Sequence, residues 1–171
     1  MSDDELIDRI KDGDETAAEE LIDRYYAAIL RYCGWHCFNR EKAEDLTQET
    51  FLKLFRSLPR YKGRNQFKSY LYTIANRLCI DESRKMPFYS LEDAAEIADG
   101  QNEIARAEHR EEISRLLSAL SDVQREAVLL RFGQELGFTE IAKVMGCNRR
   151  TAQSRVRNAL MLMRKEFGDE R

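Results

Sequence analysis

Apolar residues return every three to four positions along almost the whole chain, and nowhere do they alternate at period two for long enough to make a strand. This spacing restricts the chain to an all-α fold. Only two prolines interrupt the pattern, Pro59 and Pro87, and each falls where a helix has to stop. Thr16 with Glu19 reads as a capping box opening a long helix, with Leu21, Ile22, Tyr25, Tyr26, Ile29 and Leu30 on one side. Asn39 can cap a second helix ending near Leu58, and the turn Tyr61-Lys62-Gly63-Arg64-Asn65 leads into a third, from about Gln66 to Arg84. Ser121 with Gln124 makes another capping box, and the helix behind it carries Val123, Ala127, Val128 and Leu130.

With 171 residues, 43% apolar and 35% charged, the chain is neither collagenous nor of low complexity nor wholly disordered. Its length allows one domain or two small ones. The boundary falls at Pro87, where an acidic, weakly periodic stretch containing Gly100 begins and reads as a flexible linker. The expected organisation is therefore a domain over 1–86, a linker over 87–108 and a second domain over 109–171.

Charge is sorted along this frame. Residues 1–58 carry 8 basic and 14 acidic groups and residues 87–122 carry 3 and 9, whereas residues 59–86 carry 7 and 2 and residues 148–165 carry 6 and none. Two basic blocks in an acidic chain mark two separate places for neutralising phosphates, leaving acidic surface for another partner.

The sharpest local signal is FTEIAKVMGCNRRTAQSRVRNALMLMRK, a helix-turn-helix. Ile141, Ala142 and Met145 form the inner stripe of its first helix, Gly146 supplies the turn, and Asn148 caps the second. With Ala152, Val156, Leu160 and Met163 inward, Arg149, Arg150, Gln153, Ser154 and Arg157 face out and Arg155 lies on the flank. Arg forks onto guanine and Gln onto adenine, so this face is built to read duplex edges in a major groove.

In the third helix Phe67, Leu71, Ile74 and Leu78 are expected to face the core. Asn65, Ser69, Tyr72 and Asn76 then lie opposite, flanked by Lys68 and Arg77. An exposed ring among amides and cations suits unstacked bases. The same spacing equally allows Tyr72 to be half-buried against a neighbouring helix. The second helix shows Ala43, Thr50, Phe51, Leu54 and Leu58 inward and Asp45, Gln48, Glu49, Leu52 and Arg56 outward, an acidic patch beside an exposed Leu that is poor for DNA and suits a basic protein partner, although single exposed Leu residues are common on ordinary surface.

Cys33, His36 and Cys37 fall at i, i+3 and i+4, which permits zinc or a redox response, although no fourth ligand is near and helical thiols beside Trp35 more often sit in a core. No metal or other cofactor is expected. No Gly-rich phosphate loop, H-E-x-x-H or G-x-S-x-G occurs, so no enzymatic activity is expected. The start, Met1-Ser2-Asp3-Asp4-Glu5, lacks the features of a signal peptide, and no apolar run is long enough to span a bilayer. The expected location is the cytoplasm, with the thiols reduced.

Taken together, these residues resemble the extracytoplasmic-function (ECF) group of bacterial RNA polymerase sigma factors, which keep only regions two and four. AEDLTQETFLKLFRSL (Ala43 to Leu58) is similar to region 2.2, YKGRNQFKSYLYTIANRLCIDESRK (Tyr61 to Lys85) to regions 2.3 and 2.4, and residues 109–165 to region four. The resemblance implies that Asp45, Gln48, Glu49, Leu52 and Arg56 dock on the β′ clamp helices of core polymerase. It implies that Arg64, Asn65, Lys68, Tyr72, Asn76 and Arg77 capture flipped bases of the minus-ten non-template strand. Arg149, Arg150, Thr151, Gln153, Ser154, Arg155 and Arg157 would read the minus-thirty-five duplex, and the helices around Leu116 to Phe132 would hold the tip of the β flap. An anti-sigma protein is expected to sequester the factor, which would be a monomer when free. Two departures stand out: Asn76-Arg77 reverses the Arg-Asn order common in the family, and Thr73 and Ile74 replace the aromatic pair with which primary sigma factors wedge DNA open.

Two other functions share these features. A stand-alone helix-turn-helix regulator would sense a ligand, metal or oxidant through its N-terminal half and bind a palindrome as a dimer. A polymerase-bound inhibitor would use the same acidic ridge without starting transcription.

Overall fold

The computed structural model describes residues 1–37, 39–85 and 103–168. The chain divides into two compact units, Met1–Tyr89 and Ser90–Arg171. Among the described residues there are helices and turns and no strands.

The first unit holds α1 (Asp3–Lys11), α2 (Glu15–Cys37), α3 (Arg40–Ser57), a 3-10 turn (Leu58–Arg60) and α4 (Phe67–Lys85). Helix α2 packs against α1, α3 and α4, and α3 packs against α4. The α1 helix was not expected from the periodicity. It opens on a capping box in which the Ser2 hydroxyl accepts from the Glu5 amide at 3.3 Å and the Glu5 carboxylate accepts from the Ser2 amide at 2.7 Å. Asn39 caps α3 as expected, accepting from the Lys42 amide at 3.0 Å, and the helix gives way to the 3-10 turn at Pro59, which has no N–H to donate.

Two expectations for this unit need correction. The cap of α2 is Asp14 and not Thr16: Asp14 Oδ1 accepts from the amides of Thr16 at 3.0 Å and Ala17 at 3.3 Å, and from the Thr16 hydroxyl. A carboxylate meets the positive end of the helix dipole better than a hydroxyl, and Thr16 already lies inside the first turn. In α4, the buried stripe is rotated by about one position from the one expected. Leu71, Tyr72, Ala75, Asn76 and Cys79 are buried, whereas Ile74 and Leu78 are only half-buried. Helices α2 and α3 both lie on α4, so its buried arc is wide, and the small Ala75 and Cys79 let the neighbouring backbones approach.

The second unit holds α5 (Glu103–Ser118), α6 (Asp122–Val128) running into a π-helical turn (Leu129–Gly133), α7 (Phe138–Met145) and α8 (Arg149–Phe167). Most of the stretch read as a linker lies outside the described residues, but its end, 103–108, is already α5. The Ser121–Gln124 capping box forms as expected. Arg125 donates to the carbonyls of Leu117, in the last turn of α5, at 3.1 Å and of Leu120, just beyond it, at 3.4 Å, placing its charge at the C-terminal end of that helix. Helices α6 and α7 each pack on α8 around Leu130, Leu136, Ile141, Ala152, Val156 and Ala159.

Candidate nucleic-acid interface

The α7–α8 corner is made by local chemistry. Gly146 closes α7 at φ 66°, in the left-handed region where a side chain is strained, and its backbone meets no crowding. Asn148 Oδ1 accepts from the Thr151 amide at 2.7 Å and opens α8. With Ala152, Val156 and Ala159 buried, Arg149, Arg150, Gln153 and Arg157 are exposed along one face, while Thr151, Ser154 and Arg155 are half-buried at its edges. The inner stripes differ slightly from expectation: Val144 replaces Met145 in α7, and Ala159 takes the place of Leu160 and Met163, which are half-buried. The small Ala159 allows close approach to α6 and α7, leaving the bulkier residues at the margin. Four outward donors along the first three turns of α8 make a surface for phosphates and base edges.

In the first unit, the basic block divides into an exposed part and a buried part. Arg64, Asn65 and Arg77 are exposed and Lys68 is half-buried. Tyr72 is 1% exposed and Asn76 6%, with the Asn76 side-chain amide donating to the Tyr32 hydroxyl at 2.9 Å and the Tyr32 and Tyr72 rings meeting edge to face at 5.4 Å. This corrects the expectation of an exposed Ser69–Tyr72–Asn76 face. Ser69 is buried too, its hydroxyl donating to the Gln66 carbonyl at 3.0 Å. Ser69 and Asn76 enter this core because each has an acceptor waiting there.

The loop before α4 is held in shape. Tyr61 is buried and its ring packs against Tyr70 at 4.6 Å and Phe67 at 6.4 Å. Burial, followed by the nearby Asp4 charge, pushes its hydroxyl up to about 12. Gly63 crosses over the same ring so closely that a Cβ there would stand 2.6 Å from the Tyr61 oxygen. Asn65 adopts φ 55°, and its amide donates to Asp4 Oδ2 at 2.9 Å, while Lys11 Nζ donates to the Tyr61 carbonyl at 2.6 Å. Neither Asp4 nor Lys11 was singled out from the sequence; the Ser2-x-x-Glu5 capping box was the local signal that a helix carries them.

On α3, Asp45, Gln48, Leu52 and Arg56 are exposed and Glu49 is half-buried, opposite a buried face of Ala43, Leu46, Thr47, Thr50, Phe51 and Leu54. Leu52 is 52% exposed at the centre of this ridge.

Cys33, His36 and Cys37 do not converge. The Cys33 sulfur faces Cys79 at 3.8 Å, the Cys37 thiol donates to the Asn39 carbonyl at 3.3 Å, and the His36 ring lies edge-on to Tyr32 at 4.8 Å. Among the described residues no group of three or more His, Cys, Asp or Glu side chains could hold a metal ion, and no helix is long and apolar enough to cross a membrane.

Two stretches of the chain match known families in order. Residues 21–86 match the family described as Sigma-70 region 2, and residues 110–163 match Sigma-70, region 4. The ECF RNA polymerase sigma factor BldN of Streptomyces coelicolor is 34% identical over 154 residues, covering 84% of this chain and 58% of BldN. The ECF RNA polymerase sigma factor SigW of Bacillus subtilis is 26% identical over 178 residues, covering 95% of each chain. The chain thus spans somewhat over half the length of BldN but nearly all of SigW. Among solved structures, CnrH, determined with the cytosolic domain of CnrY, superposes with a TM-score of 0.78 over 97% of both chains at 17% identity, a likeness of fold. The two regions, matched in order along most of its length, place this chain in the ECF group of the sigma-70 family of RNA polymerase sigma factors.

Proposed function

We propose that this sigma factor, an initiation factor and not an enzyme, divides its work among three surfaces. The α3 ridge of Asp45, Gln48, Glu49, Leu52 and Arg56 docks on the β′ clamp helices of core polymerase, its acidic rim meeting basic residues around an exposed leucine. The loop with Arg64 and Asn65, together with Lys68 and Arg77, takes bases of the melted minus-ten non-template strand. Tyr72 and Asn76 support that surface from within the core. The α8 face of Arg149, Arg150, Gln153 and Arg157, edged by Thr151, Ser154 and Arg155, lies in the major groove of the minus-thirty-five element.

The apolar Val123 and Phe132, the latter 57% exposed, supply a contact for the β flap. We further infer that an anti-sigma protein controls the factor in the cytoplasm. Two solved structures of the same fold hold CnrH with the cytosolic domain of CnrY and the sigma factor RpoE of Bartonella quintana with the anti-sigma factor NepR.

The observation that carries this reading is the exposed, acid-free face of α8 in the unit matched to region four. Run-off transcription with core polymerase, followed by sequencing of the transcript starts, tests it. The expected result is a single promoter class with paired upstream and downstream elements. Polymerase that binds the factor yet starts nowhere would overturn the reading in favour of an inhibitor.

A further inference from the structure

We infer that helix α1 sets the shape of the promoter-reading loop, with Asp4 and Lys11 acting as positioning residues for minus-ten discrimination; this rests on the reading of loop 61–66 as the single-strand reader. The loop is held at both ends from α1. Lys11 Nζ donates to the Tyr61 carbonyl at 2.6 Å, and the Asn65 amide donates to Asp4 Oδ2 at 2.9 Å. Asp4 and Lys11 stand seven positions apart, on the same side of α1. Asn65 is at φ 55°, a conformation that costs most residues energy and that Asn adopts more readily. The bond to Asp4 therefore falls at the residue whose backbone is least free to settle by itself.

Helix α1 is in turn fixed to the rest of the unit. Leu6 and Ile7 are buried, and Asp3 accepts from Arg24 at 2.9 Å and from the Tyr25 hydroxyl at 2.5 Å. Neighbouring carboxylates thus face two ways: Asp3 ties α1 to α2, and Asp4 ties it to the loop. Between the two clamps, Gly63 lies over the Tyr61 ring, leaving Lys62, Arg64 and Asn65 presented outward on a braced turn.

Electrostatics alone would disfavour this arrangement. A carboxylate beside a loop that receives polyanionic DNA repels phosphate. What Asp4 contributes is geometry, and geometry is what separates one unstacked base from another. Charge and shape can therefore be varied separately. Asp4→Asn keeps an oxygen acceptor and removes the charge, whereas Asp4→Ala removes both, and Lys11→Met removes the second clamp while keeping its stem.

The experiment uses holoenzyme reconstituted with full-length variants and a promoter set carrying every single-base change in the minus-ten element and, separately, in the minus-thirty-five element. Asp4→Ala and Lys11→Met are each expected to lower minus-ten discrimination about three- to ten-fold, the value of one lost hydrogen bond, with minus-thirty-five discrimination and holoenzyme assembly unchanged. Asp4→Asn is expected to discriminate like the parent. Arg64→Ala and Asn65→Gly, the latter keeping the backbone conformation without the side chain, test the loop itself. If these two lose minus-ten discrimination while Asp4→Ala and Lys11→Met keep it, the positioning role is overturned and the loop reading stands. If all four keep it, the loop reading fails and the inference with it. An equal loss at both promoter elements overturns the positioning role as well.

Discussion

The side-chain amide of Asn76 in α4 donates to the hydroxyl of Tyr32 in α2 at 2.9 Å, joining two helices across 44 residues of sequence. The bond is buried, so Asn76 acts on the stability of the first unit. Asn76→Ala is expected to lower that stability by about 1–3 kcal/mol. Trp35, the only tryptophan, lies in α2 and reports the unfolding of this unit by fluorescence in a urea titration. At low temperature, with the unit folded, the variant should keep its minus-ten preference; a lost preference in the folded protein would restore Asn76 to the DNA surface.

The thiols should differ sharply in reactivity. Cys33, Cys37 and Cys79 are buried and Cys147 is half-buried, and burial pushes the Cys37 thiol up. Titration of the native protein with a disulfide reagent is expected to modify Cys147 first and the other three only on unfolding. Chelators should leave the Trp35 transition in place, because the Cys33 and Cys37 sulfurs face Cys79 and the Asn39 carbonyl. A transition that falls on chelation would point to a bound metal at these thiols.

Gly146 ends α7 at φ 66° with open space where a Cβ would go, so the cost of Gly146→Ala is conformational alone. It is expected at about 1 kcal/mol, with Gly146→Asn costing less. Amide exchange in α7 and α8 should quicken about five-fold if these amides exchange through opening of the unit. Unchanged exchange would mean the corner tolerates a side chain.

The parts legible from sequence are those fixed by near neighbours. Gly146 and Asn148 set the helix-turn-helix corner within a few residues, and the buried Ala152 and Val156 orient α8. The same holds for α3, whose buried face runs through Ala43, Phe51 and Leu54 at helical spacing. The rotation of α4 was not legible. The large Ile74 and Leu78 look more like core than Ala75 and Cys79, and Tyr32, which accepts from the buried Asn76 amide, lies 44 residues away in sequence. The loop brace was hidden for the same reason: Asp4 and Asn65 stand 61 residues apart, and Lys11 and Tyr61 stand 50 apart.

Acid should weaken the first unit through Asp14. The Thr16 hydroxyl and then the Arg9 guanidinium hold its carboxyl at about 2, below the ordinary 3.8. In this range the unfolded chain takes up the proton before the folded one does. The contribution is therefore complete above the ordinary value and is lost as the pH falls towards about 2. Asp14→Asn keeps an oxygen to cap α2 but cannot titrate, so it should flatten the acid limb of the Trp35 stability curve in that window. An unchanged acid limb would assign it to other carboxylates.

The α8 face offers the sharpest separation between reading and holding DNA. Arg150 and Gln153 are exposed in the first turns, where a helix lying in the major groove meets base edges, whereas Arg155 is half-buried on the flank. Replacing Arg150 or Gln153 by Ala should cost about 1–3 kcal/mol on the preferred upstream element and relax the choice at one position of it. Replacing Arg155 should weaken all upstream sequences alike and reduce the salt dependence of holoenzyme binding by about one ion. The measurement is open-complex formation by reconstituted holoenzyme over a range of salt, on promoters altered one base at a time upstream. If Arg150→Ala lowered every sequence equally while Arg155→Ala changed the preference, the two arginines would exchange roles and α8 would lie in the groove rotated from the orientation proposed.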